Sequence, residues 1–425
     1  MPKPLKAAII GLGGFARHHH DSLLALQEEG IAQRIATCDS QLERFAESDV
    51  LTDLSTRGVQ VYRDYLEMLD AHHNELDFVT IPTPIPLHAP MHRACVERGL
   101  AVYLEKPPTL DWRELERMIE AEKTARFGTQ VGFNFIIEPA RQKLKARLLS
   151  GEFGALKRAV FTGYWPRSAA YFQRANWAGR LRVDDGLILD SCVGNALAHY
   201  VHNLLFWCGK DALLSWGEVE SVEAELYRAH QIESFDTVFA RGQSGDVEIL
   251  LGATHAGSGA AWHRESFSCE RAEVVYNARG GGYEISYRDG RREVGETSTW
   301  PTTEFLTRNL RSFAAYLNGE APRPLTTLGD SRPFVHLNDL IFVAAKQICD
   351  VPQEFLRRQT GARGENFVAI ENIETTLANF ARDGHLPSEN GTVWGRSGGR
   401  ATRAELPQLE SVIDQLCAAS PMSGP

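Results

Sequence analysis

The chain has 425 residues, 43% of them hydrophobic and 24% charged, which is enough apolar material for two ordinary domains and excludes a largely disordered polymer. A net charge of −10 argues against a nucleic-acid partner, which needs clustered positive charge, and no apolar run nears the ~20 residues that cross a bilayer. The 7 cysteines never form a C-x-x-C pair, and the first strand begins so early that no signal peptide is expected, so the predicted location is cytoplasmic with reduced thiols.

In chain order, the apolar strand Lys6–Ile10 runs into Gly11-Leu12-Gly13-Gly14-Phe15-Ala16 and then a helix. Gly11 permits the tight turn, Gly13 lets a dinucleotide pyrophosphate approach the backbone, and Ala16 lets helix and strand pack closely. The unpaired N–H groups of the helix start face the phosphates. His18, His19 and His20 fan around the helix axis and cannot converge on one ion, so they read as a solvated face with one inward ring; no metal site is expected. The run Ile31–Cys38 ends at Asp39, at the spacing where a carboxylate reaches a ribose diol and repels a 2′-phosphate. NAD is therefore expected over NADP.

Val59–Tyr62 is a short strand and Asp64–Leu69 an amphipathic turn or helix. Leu76–Ile81 is a strand stopped by Pro82-Thr83-Pro84-Ile85-Pro86-Leu87-His88, whose prolines hold an extended loop at the ligand edge of the sheet. Ile81, Pro82, Thr83 and Pro84 are candidate cofactor contacts, and His88 either caps the next helix or joins them. After a helix to Arg98, strand Leu100–Leu104 delivers Glu105-Lys106-Pro107-Pro108 to the same edge. Pro107 keeps Lys106 out of the helical region. A helix over Asp111–Arg126 and a strand over Thr129–Asn134 close the first domain, with Asn134 a further cofactor candidate.

Taken in order, the glycine fingerprint, T-P-x-x-x-H at Thr83, Pro84 and His88, and E-K-P at Glu105, Lys106 and Pro107 resemble the Gfo/Idh/MocA family of nicotinamide-dependent oxidoreductases, from about residue 5 to about residue 345. The resemblance implies that Lys106 sits beside both nicotinamide and substrate. It also implies dimers or tetramers formed through the second domain. Ile136 departs from it, standing where similar chains often carry an arginine.

The second domain opens with a basic helix, Pro139–Leu149. Strand-length runs follow at 159–164, 219–226, 236–240, 247–253, 265–269, 272–276 and 283–287, separated by turn signals. A mostly antiparallel sheet built from them buries one face on helices, and the other face needs a cover, most simply a second subunit. Helices are predicted over 302–317, 337–349, 365–380 and 405–418, with a loop at 394–400. The expected fold is an α/β N-terminal Rossmann domain with a doubly wound parallel sheet (residues 1–135), an α+β domain with a large, mostly antiparallel open sheet (136–349), and a C-terminal helical extension (350–425).

The chemistry of the second domain concentrates after its first strand. Trp165, Arg167, Tyr171, Arg174, Asn176, Trp177 and Asp185 offer aromatic faces for C–H edges and polar tips for hydroxyls, as a polyol site requires. Then comes Asp190 to Tyr200, similar to the family's D-x-x-x-H-Y helix. Placing His199-Tyr200 on H-Y puts Asn195 where the aspartate usually stands. Asn195 can orient an imidazole but cannot stabilise its cation, and Asp190 is the alternative source of a carboxylate. Lys106 and His199 are the candidates for proton transfer, expected to converge on one hydroxyl from opposite domains. His230 and Asp236 stand at strand ends near the same loop, in support or in plain loop stabilisation.

The function expected is an NAD-dependent dehydrogenase of a sugar, inositol or related polyol, working as a homodimer or homotetramer. One alternative keeps NAD bound and uses transient oxidation to drive elimination, epimerisation or glycoside cleavage. A second is a non-catalytic NAD-sensing regulator. Arg167, Arg174, Arg180 and Arg182 raise the option of an acidic sugar.

Overall fold

The computed structural model describes residues 3–184 and 186–420. The first strands and helices are β1 (Leu5–Ile10), α1 (Ala16–Glu28), β2 (Ala32–Cys38), α2 (Val50–Thr56), β3 (Gln60–Tyr62), α3 (Tyr65–His72), β4 (Phe78–Ile81), α4 (His88–Glu97), β5 (Ala101–Leu104), α5 (Trp112–Glu122) and β6 (Gln130–Val131). Next come α6 (Pro139–Leu149), β7 (Leu156–Tyr164), α7 (Ala169–Phe172), β8 (Arg182–Val183), β9 (Gly186–Leu187), α8 (Ala198–Cys208), β10 (Ser221–Arg228), β11 (Thr237–Ser244), β12 (Val247–Thr254), β13 (Trp262–Cys269), β14 (Ala272–Tyr276), β15 (Tyr283–Tyr287) and β16 (Arg292–Gly295). The chain continues through α9 (Thr302–Leu317), α10 (Leu328–Ala345), β17 (Cys349–Asp350), β18 (Leu356–Thr360), β19 (Asn366–Ile370), α11 (Ile373–Asp383), β20 (Gly399–Thr402) and α12 (Leu409–Ala418).

The residues fall into two compact units. The first takes the chain up to 109, then 113–137 and 299–331. Its six strands run in the order β3-β2-β1-β4-β5-β6, and every pairing is parallel. β4 and β5 are buried on both faces, which is why they read as unbroken apolar runs rather than alternating ones. The order reverses between β1 and β4, so the crevice for a ligand opens at the carboxyl end of β1, where Gly11 follows. β6 is shorter than the strand expected over Thr129–Asn134, because the chain turns into a 3-10 segment from Asn134. The helix Thr302–Leu317, expected in the second domain, belongs to the first unit. Its Leu306, Leu310 and Phe313 pack with Leu23 and Leu26 of α1 and with Phe78 and Tyr103 of the sheet.

The second unit is built on one large sheet, ordered β16-β15-β14-β13-β7-β12-β11-β10-β17, with β20 also on β10. Its pairs are antiparallel except β7 with β12 and β10 with β17. Alternation along β7 assigns the faces. Phe161 stacks on Tyr200 of α8 at 5.3 Å, whereas Val160 and Tyr164 point the other way. That second face is where a partner subunit was expected, and the chain covers it itself. Residues after 350 bring Leu356, Val368, Ile373, Leu377, Phe380 and Trp394 onto Val160, Tyr227, Phe239 and Leu250 in one buried cluster. Beyond β7 the same face carries Ser266, Glu273, Glu284 and Ser286, with Val275 half-buried and Val294 exposed among them.

The C-terminal region departs from expectation in detail. Residues 366–370 form a strand paired with β18 rather than the start of a helix, and the helix begins at Ile373. The helix expected over 337–349 begins nine residues earlier at Leu328, carries Pro333 within it, and ends at Ala345. The last helix is preceded by a 3-10 segment, Arg403–Gln408. Gly252 of β12 sets how close α11 can lie, since a Cβ there would stand 3.0 Å from Leu377 Cδ2 and 3.1 Å from Phe380 Cδ1. Gly252→Val is expected to lower the unfolding free energy by about 1–3 kcal/mol, the usual cost of overpacking, as read from urea denaturation.

Candidate functional site

The glycine turn is shaped for a phosphate. Gly11 has φ +123° and Gly14 has φ +57°, conformations that favour glycine. A Cβ on Gly13 would meet the Phe45 ring at 3.2 Å, and one on Gly11 would touch the Ala16 Cβ at 3.4 Å. The start of α1 has no side-chain cap and no acidic residue in its first turn. Among the described residues, no protein acceptor meets the N–H groups of Gly13, Gly14 and Phe15. Donors left unpaired at a helix start are what an anionic group requires, so the residues present fit a dinucleotide pyrophosphate. Asp39 closes the site: its carboxylate accepts the Leu12 N–H at 3.0 Å and the Gln41 N–H at 2.9 Å.

The three histidines of α1 each take a different partner instead of lining a solvated face. His18 Nδ1 lies 2.8 Å from Thr303 Oγ1. Arg34 donates to His20 Nδ1 at 2.5 Å, which leaves Nε2–H to donate to the Gly11 carbonyl at 3.0 Å. Burial, helped by the Arg34 charge, pushes the His20 pKa down to about 3, so this brace under the turn is neutral. His19 is fully buried, with Nε2 3.1 Å from Glu105 Oε1.

That last contact organises the Glu105-Lys106 turn. The second Glu105 oxygen accepts the Lys106 N–H at 3.2 Å, and the carboxylate fits because a Cβ on Gly132 would stand 2.9 Å from Oε1. The Lys106–Pro107 peptide is cis. His88 ties the two strand-end loops together, its Nε2 2.8 Å from the Thr83 carbonyl and its Nδ1 2.9 Å from the Pro107 carbonyl. Both nitrogens of this buried ring are engaged on backbone, and burial lowers its pKa. Asn134 is equally tied into the fold: Tyr103 Oη–H donates to its side chain at 2.7 Å, and its carbonyl accepts from Asn309 at 3.0 Å. Ile81 is buried within β4 and Pro82 directly after it, while Thr83 is half-buried and Pro84 exposed.

In the second unit the structure gathers most of the expected aromatic and arginine residues. The Arg167 guanidinium lies 5.1 Å from the Trp165 ring and 4.3 Å from the Tyr171 ring. Arg174 lies 3.8 Å from Tyr171 and 4.7 Å from Trp177, and 3.8 Å from the Asp190 carboxylate. Asn176 is exposed, and Asp185 lies outside the described residues. Asp190 and Asn195, weighed as alternatives, act as one pair: the Asn195 amide donates to Asp190 Oδ1 at 3.1 Å while Oδ2 accepts the Gly179 N–H at 2.7 Å. The helix expected through both is broken. Cys192–Ala196 is a π-type turn and α8 starts at Ala198, so Asn195 and His199 do not share a regular four-residue spacing.

Two histidines pin the loop that carries Arg167. His230 is 2.7 Å from Asp236 through Nδ1 and 3.1 Å from the Arg167 carbonyl through Nε2. Burial works to raise the Asp236 pKa, but the His230 ring and the N–H groups of Ala229 and His230 hold it below the usual range. His255 Nδ1 donates to the Trp165 carbonyl at 2.8 Å, and burial with Arg167 nearby pushes its pKa down to about 3. Sequence reasoning overlooked His255 because it stands at the end of a strand, in a stretch with no motif around it.

Residues 5–133 match the model of an oxidoreductase family, Gfo/Idh/MocA, described as an NAD-binding Rossmann fold. The chain is 31% identical over 165 residues to D-apiose dehydrogenase of Paraburkholderia graminis, covering 39% of this chain and 40% of that one. It is 32% identical over 153 residues to inositol 2-dehydrogenase 4 of Saccharopolyspora erythraea, covering 36% and 43%. The matched stretch thus spans about two fifths of the length of these curated relatives. The fold is similar over a longer stretch to the WlbA dehydrogenase from Bordetella pertussis, solved with NADH and UDP-GlcNAcA, at TM-score 0.64 and 20% identity over 80% of this chain and 95% of that one. With the glycine turn, Asp39 and the Glu105-Lys106 turn at one sheet edge, residues 5–133 belong to the Gfo/Idh/MocA oxidoreductase family as its NAD-binding Rossmann domain.

Proposed function

We propose that the protein is a dehydrogenase of a sugar, inositol or related polyol that uses NAD in preference to NADP. The observation that carries this reading is the sheet edge of the first unit, where an uncapped glycine turn, the Asp39 carboxylate and a braced Glu105-Lys106 turn stand together. The relatives named for D-apiose and inositol support the polyol class. When bound, nicotinamide supplies the acceptor for a hydride from a carbinol carbon.

The chain's own residues supply the rest. Gly13, Gly14 and Phe15 hold the pyrophosphate through their N–H groups, and Asp39 takes the ribose diol. Lys106 and His199 are the groups for the hydroxyl proton, with the Asp190–Asn195 pair in support of the second unit's loop. Trp165, Tyr171 and Trp177 give the aromatic faces on which sugar C–H edges pack.

Absorbance at 340 nm with NAD and a panel of polyols tests the reaction, and a rise with at least one of them is the expected result. Substrate loss without NADH release would instead favour transient oxidation on retained cofactor. For the cofactor, NAD is expected to bind at least tenfold more tightly than NADP, roughly the cost of placing a phosphate against a carboxylate. Asp39→Ala should narrow that ratio in titrations of both cofactors, and equal or tighter NADP binding by the unaltered protein defeats the preference.

A further inference from the structure

Arg167 is a half-buried charge that none of the described residues neutralises. Among the described residues its buried Nε has no acceptor, its side chain makes no hydrogen bond, and no carboxylate lies within 4.0 Å of it. Nearby arginines are spent differently. Arg182 pairs with Asp414 at 2.9 Å and Arg228 with Asp350 at 2.7 Å. Arg174 donates to the Tyr171 carbonyl at 2.7 Å and leans on Asp190.

The anions close by are already committed. Asp236 is held by His230 and by the N–H groups of Ala229 and His230. Asp190 accepts from Gly179 and Asn195. His255 adds no charge. Arg174 lies 3.8 Å from the Asp190 carboxylate, while Arg167 has no described carboxylate within 4.0 Å. The rings of Trp165 and Tyr171 stabilise the Arg167 cation only in part, because a ring face offers no acceptor for its N–H fork.

The loop is also fixed in place. His255 holds the Trp165 carbonyl and His230 the Arg167 carbonyl, so the backbone is pinned on both sides of Pro166. A rigid loop presenting an unpaired planar fork beside aromatic faces matches a planar anion attached to a sugar skeleton.

Resting on the polyol dehydrogenase reading above, we propose that Arg167 receives a carboxylate of the substrate, so that the preferred substrates are sugar or polyol acids and not their neutral counterparts. The test compares D-glucuronate, D-glucose and D-glucose 6-phosphate, and the galacto series likewise, with the unaltered protein, Arg167→Gln and Arg167→Lys. In the series that reacts, kcat/KM for the acid is expected to exceed that for the neutral sugar by at least tenfold. Arg167→Gln should lower the acid's kcat/KM by about 10- to 100-fold, the size of a lost charge-assisted contact, and the neutral sugar's by at least about fivefold less than that. Arg167→Lys, which keeps the charge but not the fork, should fall between.

Equal use of the neutral sugar, preference for the phosphate, or equal losses on acid and neutral sugar in Arg167→Gln overturns the proposal while leaving the dehydrogenase reading intact. If neither series reduces NAD, the polyol panel above still decides the dehydrogenase reading, and thermal shift with the same sugars in the presence of NAD decides the present one. An acid-specific rise in Tm that Arg167→Gln abolishes supports it, and no such rise overturns it.

Discussion

Lys106→Ala is expected to lower turnover by roughly 10²–10⁴-fold, the usual contribution of a positioned acid or base, while NAD binding stays within about threefold. The two effects separate because different residues hold the cofactor and present the lysine. Gly13, Gly14, Phe15 and Asp39 lie on the β1 and β2 ends, and no hydrogen bond among them depends on the Lys106 side chain. Glu105, His19 and Gly132 keep the turn itself in place through the Lys106 N–H, which alanine retains. His199→Ala should cause a loss of similar size. The measurements are steady-state rates on the substrate found at 340 nm and the NAD dissociation constant of each variant. Variants that bind NAD normally and turn over within about threefold of the unaltered protein would remove both residues from the proton-transfer role, since a loss so small is far below that expected of such a group.

The first unit was legible in the sequence because its signals are local. β1, the glycine turn and Asp39 lie within one β-α-β stretch, and the buried strands β4 and β5 announce themselves as short apolar runs ending in proline loops. What the same reading missed depends on contacts distant in sequence. Nothing around His19 says that it will meet Glu105, 86 positions away, and nothing in Thr302–Leu317 says which sheet its apolar face will join. Asn195 and His199 suggested a continuous helix, because a π-type turn has no distinct residue pattern. The helix predicted to start at 337 begins at Leu328 and runs through Pro333, although a proline there removes one backbone hydrogen bond. The strand Asn366–Ile370 was taken for helix because its pairing with β18 is invisible in a short apolar run.

Arg141→Met is expected to cost about 3–5 kcal/mol of stability, the range for removing one partner of a buried ion pair. Arg141 of α6 is fully buried, with Nη1 2.6 Å and Nη2 2.9 Å from the two oxygens of Glu265 on β13. Those oxygens also accept from Trp207 Nε1 at 2.9 Å and Asn203 Nδ2 at 3.2 Å, and the guanidinium lies over Tyr276 at 4.4 Å. Taking away the arginine leaves a carboxylate among rings with two neutral donors to hold it. Arg141→Met with Glu265→Leu removes both charges, and the double variant should be more stable than Arg141→Met alone. Urea denaturation of Arg141→Met, Glu265→Leu and the double variant decides it: an Arg141→Met cost below about 1 kcal/mol, or plain additivity, would show that the pair is not the anchor of α6 on the sheet.

The residues after 350 that lie over Val160, Phe239 and Leu250 also set how the protein responds to dilution. A sheet face closed by another copy opens as that copy is diluted away, and its stability then tracks protein concentration. Here the covering side chains are tethered to the surface they protect, at an effective concentration fixed by chain length and independent of the amount of protein present. The apolar half of the second unit's sheet is therefore as well sealed at nanomolar as at micromolar concentration. A cut in the exposed turn around Gly361–Gly364 leaves α11 on the same piece of chain as α12 but breaks its tie to β17, and gives that sealing back to mass action.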